Sequence, residues 1–141
     1  MTIKETINNY TQHNLENADF LERSARENAD PDKRIPLFKE KLKQTQFNPA
    51  LALDFASLLQ LSDDSTNYDQ YDLDDMRKLF DSLVLLQPYN LDVYVEYAHF
   101  EWSVMNNKNK AEELIAIGVA KANEKVEALN ELQQSINTYL N

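Results

Sequence analysis

Cysteine is absent from the 141 residues. That removes a disulfide framework, a CxxC zinc site and a cysteine nucleophile. Glycine occurs once, which excludes phosphate-cradling loops and dinucleotide fingerprints, since each needs several. It also argues against sheet-rich folds, whose hairpins use glycine for positive φ. Basic residues are scarce: 14 Lys and Arg stand against 24 Asp and Glu, a net charge of −10. Phosphate binding needs a basic surface, so no nucleic-acid partner is expected. No apolar run approaches roughly 18 residues, so no membrane span is expected. Residues 1–6 carry neither a basic n-region nor an apolar h-region, so no secretory signal is expected and a cytoplasmic location follows. About 140 residues fit one domain with a real core, and with so little glycine that domain is expected to be all-α.

The charge is unevenly placed. Residues 62–75 carry Asp63, Asp64, Asp69, Asp72, Asp74 and Asp75 with no base, which is −6 of the −10. In residues 31–45, Lys33, Arg34, Lys39, Lys41 and Lys43 against Asp32 and Glu40 give +3. Either stretch reads as a solvated face or as a surface that steers a charged partner.

The chain also matches itself at an offset of 42 residues. Leu37-Phe38 falls on Leu79-Phe80, Phe47-Asn48 on Tyr89-Asn90, Leu51 on Val93 and Leu53 on Val95. Asp54-Phe55-Ala56 then falls on Glu96-Tyr97-Ala98, and Leu58 on Phe100. Ten positions agree in class across 22 residues without a gap, the mark of stacked supersecondary units.

Each unit reads as two helices. Val93, Tyr97, Phe100 and Val104 follow one apolar helical face, with Asn90 as N-cap. Asn106-Asn107-Lys108-Asn109 reads as a turn, and Ala111, Leu114, Ile115, Gly118 and Val119 form a second face. The earlier unit has Leu51, Phe55, Leu58 and Leu59, then Met76, Leu79, Phe80, Leu83 and Leu86. Asp72 is its N-cap, with Asp74 and Asp75 in the first turn, where carboxylates favour the helix dipole. Asp30-Pro31 opens the preceding helix, and Pro36 is expected to kink it or delay its start. Residues 2–28 are helical in pattern through Ile3, Ile7, Tyr10, Leu15, Phe20, Leu21 and Ala25, with His13-Asn14 as a candidate break. Residues 124–140 give a further amphipathic helix through Val126, Leu129, Leu132, Ile136 and Tyr139, the cap a stacked array requires.

These residues resemble the tetratricopeptide repeat, a 34-residue helix-turn-helix unit. Tyr94, Tyr97, Ala98 and Glu101 match its first helix, and Ala111, Ile115 and Gly118 its second, with Asn123 where the family closes with proline. The earlier unit offers Ala52, Phe55, Ala56 and Leu59, then Met76, Phe80, Leu83 and Pro88. The eight residues by which the 42-residue offset exceeds the family length fall in the acidic stretch. The run 94–101 also looks like the half-a-TPR variety, whose members are largely RNA-processing scaffolds. The resemblance implies a right-handed α-α superhelix of about six to seven helices in one domain, 1–141. It would comprise N-terminal helices (1–30), TPR-like units (31–123) with the acidic insertion 62–71, and a C-terminal capping helix (124–141). Gly118 and Ala98 would occupy small positions where helices cross closely.

The resemblance also implies a concave face that binds an extended peptide or a helix of another protein. By position, Asp92, Val95, His99 and Trp102 would line it on one helix, and Ala50, Leu53, Ser57 and Gln60 on the other. The lysines and asparagines that clamp chaperone tails are missing. Trp102 is the sharpest candidate, as a groove anchor or as packing for the C-terminal helix; His99 could hydrogen-bond a partner. His13 has no companion.

Asp63, Ser65, Asn67, Asp69, Tyr71 and Asp74 fall on the spacing of a calcium loop. Tyr68 stands where that loop needs glycine, and Asp74 where it uses a longer glutamate, so no metal is expected. No Ser-His-Asp signature, HExxH or nucleophile elbow is present, so neither catalysis nor a cofactor is expected. Three functions remain. The first is a non-catalytic adaptor binding a partner peptide or helix. The second is an acidic immunity or inhibitor protein that masks a basic partner through Asp63, Asp64, Asp69 and Asp72. The third is a scaffold that self-associates as a homodimer through its end helices.

Overall fold

A computed structural model describes residues 1–28, 30–44, 49–61 and 69–140. The described residues are helical with connecting turns and contain no strand. The helices are α1 (Ile3–Glu27), α2 (Pro31–Gln44), α3 (Pro49–Leu61), α4 (Leu73–Leu86), α5 (Leu91–Ser103) and α6 (Lys108–Leu140). The chain divides into two compact units, Met1–Gln87 and Pro88–Asn141.

In the first unit α1 packs along α4, with α3 against both and α2 against α1. Local chemistry sets the helix starts. The Thr2 hydroxyl accepts from the Glu5 backbone N–H, and the Glu5 carboxylate accepts from that of Thr2, a reciprocal cap for α1. In α2 the Asp30 side chain accepts from the Asp32 N–H at 3.1 Å. The helix therefore starts at Pro31, and Pro36 lies inside it without delaying it. At α4 the Asp75 carboxylate accepts from the Asp72 N–H at 3.0 Å.

The expected face of α4 is buried: Met76, Leu79, Phe80 and Leu83 are at most 1% exposed. Ala52 and Ala56 of α3 are fully buried, and Leu53, expected on a groove, is only 8% exposed and belongs to the core. In α1, Ile7, Asn14 and Ser24 are buried, whereas Leu15 and Leu21 are exposed.

The candidate break at His13-Asn14 is not a break. Asn14 is buried, and its side-chain amide donates to the Ser82 hydroxyl at 3.2 Å. The Ser82 hydroxyl in turn donates to the Leu79 carbonyl at 2.7 Å. A polar residue with a buried partner carries no reason to end a helix. Nearer the N-terminus, Lys4 Nζ lies 3.1 Å from Asp75 and 3.3 Å from Asp72, and the Ile3 N–H donates to the Gln70 side chain. Residue 4 meets 75 and residue 14 meets 82, so α1 and α4 run parallel.

The second unit is a hairpin of α5 on α6. Asn90 caps α5 by accepting from the Asp92 N–H at 3.2 Å. The turn lies slightly earlier than the expected 106–109, at 104–107, with Lys108 and Asn109 already in α6: Asn106 takes φ 53°, the left-handed region that asparagine tolerates better than most residues. The Asn107 N–H donates to the Glu101 carbonyl at 2.7 Å, and its side chain accepts from the Lys110 N–H, which starts α6. The pattern over 124–140 is not a separate helix. α6 runs unbroken through Asn123 for 33 residues, about 50 Å at 1.5 Å per residue, because residues 119–132 include no proline or glycine and many strong helix formers.

Candidate protein-binding site

The hairpin's one glycine marks a close contact between its helices. A Cβ on Gly118 would stand 3.1 Å from Tyr94 Cβ and 3.2 Å from its Cγ, so the Tyr94 side chain packs directly on the α6 backbone there. The Tyr94 hydroxyl donates to the Pro88 carbonyl at 2.6 Å, and burial pushes its pKa up. One residue before the α5 cap, Tyr89 reaches α6: its hydroxyl donates to the Glu124 carboxylate at 2.7 Å. Lys125 and Lys121 place their ammonium groups 4.0 and 4.9 Å from the Tyr89 ring centroid, within cation–π range. The Glu124 bond holds the Tyr89 phenol above its ordinary pKa.

With the base pinned and the turn fixed, a groove opens between the two helices. Its larger part, about 580 Å³, is lined from α5 by Val95, Ala98, His99 and Trp102, and from α6 by Lys108, Ala111, Glu112 and Ile115. Lys108 and Glu112 pair at 3.6 Å on its rim. Trp102 is 61% exposed and meets the His99 ring edge-on, with centroids 6.3 Å apart. The Ser103 hydroxyl lies 3.3 Å from His99 Nδ1 and donates to the His99 carbonyl. A narrower part of about 200 Å³ continues past Leu91, Val95, Val119 and Ala122. Depleted of charge, aromatic and concave, the surface has the composition of an interaction patch.

Of the residues singled out from sequence, Val95, His99 and Trp102 come together here. Asp92 sits in the capped first turn of α5, exposed. Ser57 and Gln60 belong to α3 in the first unit and are half-buried, and the Gln60 side chain donates to the Ala56 carbonyl. Asp63 and Asp64 lie outside the described residues, as do Ser65 and Asn67 of the calcium-loop spacing. Asp69 and Asp72 are both exposed, and Asp72 pairs with Lys4. Among the described residues no group of His, Asp and Glu is arranged to hold a metal, and no helix is long and apolar enough to cross a membrane.

The α6 half of the groove was not singled out from sequence. Its signal was present in Ala111 and Ile115, four apart on one helical face. No family model, curated protein or solved structure matches the chain at a significant level.

Proposed function

We propose that this chain is a non-catalytic, TPR-like interaction module that takes a helix of a partner protein in the groove between α5 and α6. The observation that carries the reading is Trp102, 61% exposed beside a concave apolar surface. A large aromatic left in water beside a groove gains most when a partner covers it, and tryptophan heads the residue types that dominate binding energy. The groove suits the apolar face of an amphipathic helix, and the Lys108–Glu112 pair supplies a polar rim.

The acidic-neutraliser reading has less to draw on. Asp75 is buried and tied to Lys4, and the exposed Asp72 shares that lysine.

The test uses wild-type and Trp102→Ala chains as baits in parallel. A partner held by the wild type should bind the variant more weakly by over ~1 kcal/mol. Trp102 is the single tryptophan, so its emission should shift to the blue as that partner binds. A partner retained equally by both baits, with no emission change, overturns the groove reading.

A further inference from the structure

α6 carries more apolar surface than α5 covers. Between residues 115 and 136 its apolar side chains recur at alternating intervals of four and three: Ile115, Val119, Ala122, Val126, Leu129 and, past Gln133, Ile136. This is the 3.5-residue period of a coiled-coil seam. Its five large members remain 46 to 66% exposed. Ile115 and Val119 open the seam in the narrower groove, and the rest continue along the part of α6 beyond α5.

We propose that this seam pairs with the same seam of a second copy of the chain, antiparallel, about a two-fold axis between residues 127 and 128. Flanking charge favours a like copy. The rows bordering the seam are Ala116, Asn123, Asn130 and Asn137 on one side, and Gly118, Lys125, Leu132 and Tyr139 on the other. Charged partners are selected at these positions, yet in a chain of net charge −10 they carry one charge, Lys125. The other charges of this stretch, Lys121, Glu124, Glu127 and Glu131, fall away from the seam and its borders. Two copies therefore meet without like-charge repulsion, and the borders offer a charged stranger little to pair with.

Register favours the antiparallel sense. About that axis Val119 meets Ile136 of the second copy, and Val126 meets Leu129. Gln133, the one polar member, falls opposite Ala122, the smallest, and Lys125 falls beside Leu132. A parallel pairing would bury Gln133 against its own copy. The second copy's Ile136 and Tyr139 arrive at the narrower groove, about 200 Å³ between Leu91, Val95 and Val119, so each copy offers a groove and fills one, the form of a closed two-fold interface. Seam layers from 119 to 136 span roughly 25 Å of helix. With exposed Leu132 and Tyr139 at the border, the covered surface approaches the ~600–800 Å² per partner that a stable dimer buries. The Trp102 end of the groove lies past the second copy's residue 139 in this register and stays open, so the pairing goes beyond the binding reading and can fail independently of it.

Sedimentation equilibrium of the full chain over roughly a hundredfold concentration range tests the pairing. The expected result is a dimer mass that Leu129→Lys weakens more than ~tenfold and that Trp102→Ala leaves unchanged. A monomer throughout, or a dimer indifferent to Leu129→Lys, overturns the proposal. Orientation is read separately, because the chain has no cysteine of its own. Val119→Cys and Ile136→Cys chains should form a mixed disulfide on oxidation and none alone. Identical positions in this register stand about 25 Å apart along the axis, whereas a disulfide spans Cα atoms no more than ~7 Å apart. A disulfide within either variant alone, or none in the mixture, overturns the antiparallel seam.

Discussion

Gly118 lies directly under the Tyr94 side chain: a Cβ there would come within 3.1 Å of Tyr94 Cβ. Two effects compete when the position is filled. Glycine inside a helix costs about 1 kcal/mol relative to alanine, while a side chain here presses against the stem of a buried ring, which has little freedom to yield. For Gly118→Ala the effects nearly offset, so stability should stay within about 1 kcal/mol of wild type. For Gly118→Leu crowding wins, at a cost of ~1–3 kcal/mol as in overpacked cores. Urea titration of the two variants checks the order; a leucine variant as stable as the alanine one would show that the hairpin opens freely.

Asn14 and Ser82 form a buried side chain–side chain hydrogen bond, at 3.2 Å and 68 positions apart. Asn14→Leu keeps the branched shape but removes the donor to the Ser82 hydroxyl, and should cost ~1–2 kcal/mol. Ser82→Ala removes the acceptor. The double variant should be less damaging than the two single costs added, with a coupling of about 1 kcal/mol. Strict additivity in a denaturant double-mutant cycle would mean that the pair merely coincides in space.

What the sequence made legible was local. The caps at Asp30, Asp72 and Asn90, the turn at Asn106 and the buried faces of α4 and α5 all follow from neighbours within a few positions, and each appears, save that Val104 falls past the end of α5 and is exposed. Gly118 was legible as a close-packing position because one glycine within an apolar helical pattern has few other uses. Asn14 was not, because the partner that makes it a core residue lies on another helix. For the same reason Asp72 and Asp75 looked like part of a free acidic stretch until Lys4 was placed beside them. Asn123 stood where the resembled family closes its unit with proline, so a boundary was expected there, whereas α6 passes through it. Of the candidate site, the α5 row came from position, but the exposure of Trp102 depends on how α6 leaves the turn.

Lys4 gives the first unit a pH dependence. Its bond to the Asp75 carboxylate, and then that to Asp72, holds the ammonium pKa above its ordinary 10.5. The folded state thus keeps this proton more tightly than the unfolded chain does. The resulting stabilisation is complete below 10.5 and is lost as pH rises through the folded value. Wild type should therefore melt higher than Lys4→Met at neutral pH, and the gap should close in strongly alkaline buffer. Salt should narrow it too, since the lysine is half exposed. A gap that persists at high pH would assign the effect to the lysine stem.

Tyr89 joins the start of α5 to α6 at Glu124, and two separable interactions share the task. The hydroxyl donates to the carboxylate at 2.7 Å, and the ring sits under Lys125 and Lys121. Tyr89→Phe removes the first and keeps the second, so amide exchange near residues 120–125 should quicken modestly; Tyr89→Ala removes both and should quicken it further. The hydrogen bond raises the phenol pKa above 10.0. Its stabilisation is therefore full below 10 and is lost as pH rises through the folded value. Phenolate absorbance should show two tyrosines titrating late in wild type, Tyr89 and the buried Tyr94, and only one in Tyr89→Phe, and Glu124→Gln should bring the Tyr89 titration earlier by removing the charge that opposes it. Equal exchange rates in the phenylalanine and alanine variants would mean that the lysines contribute nothing at this joint.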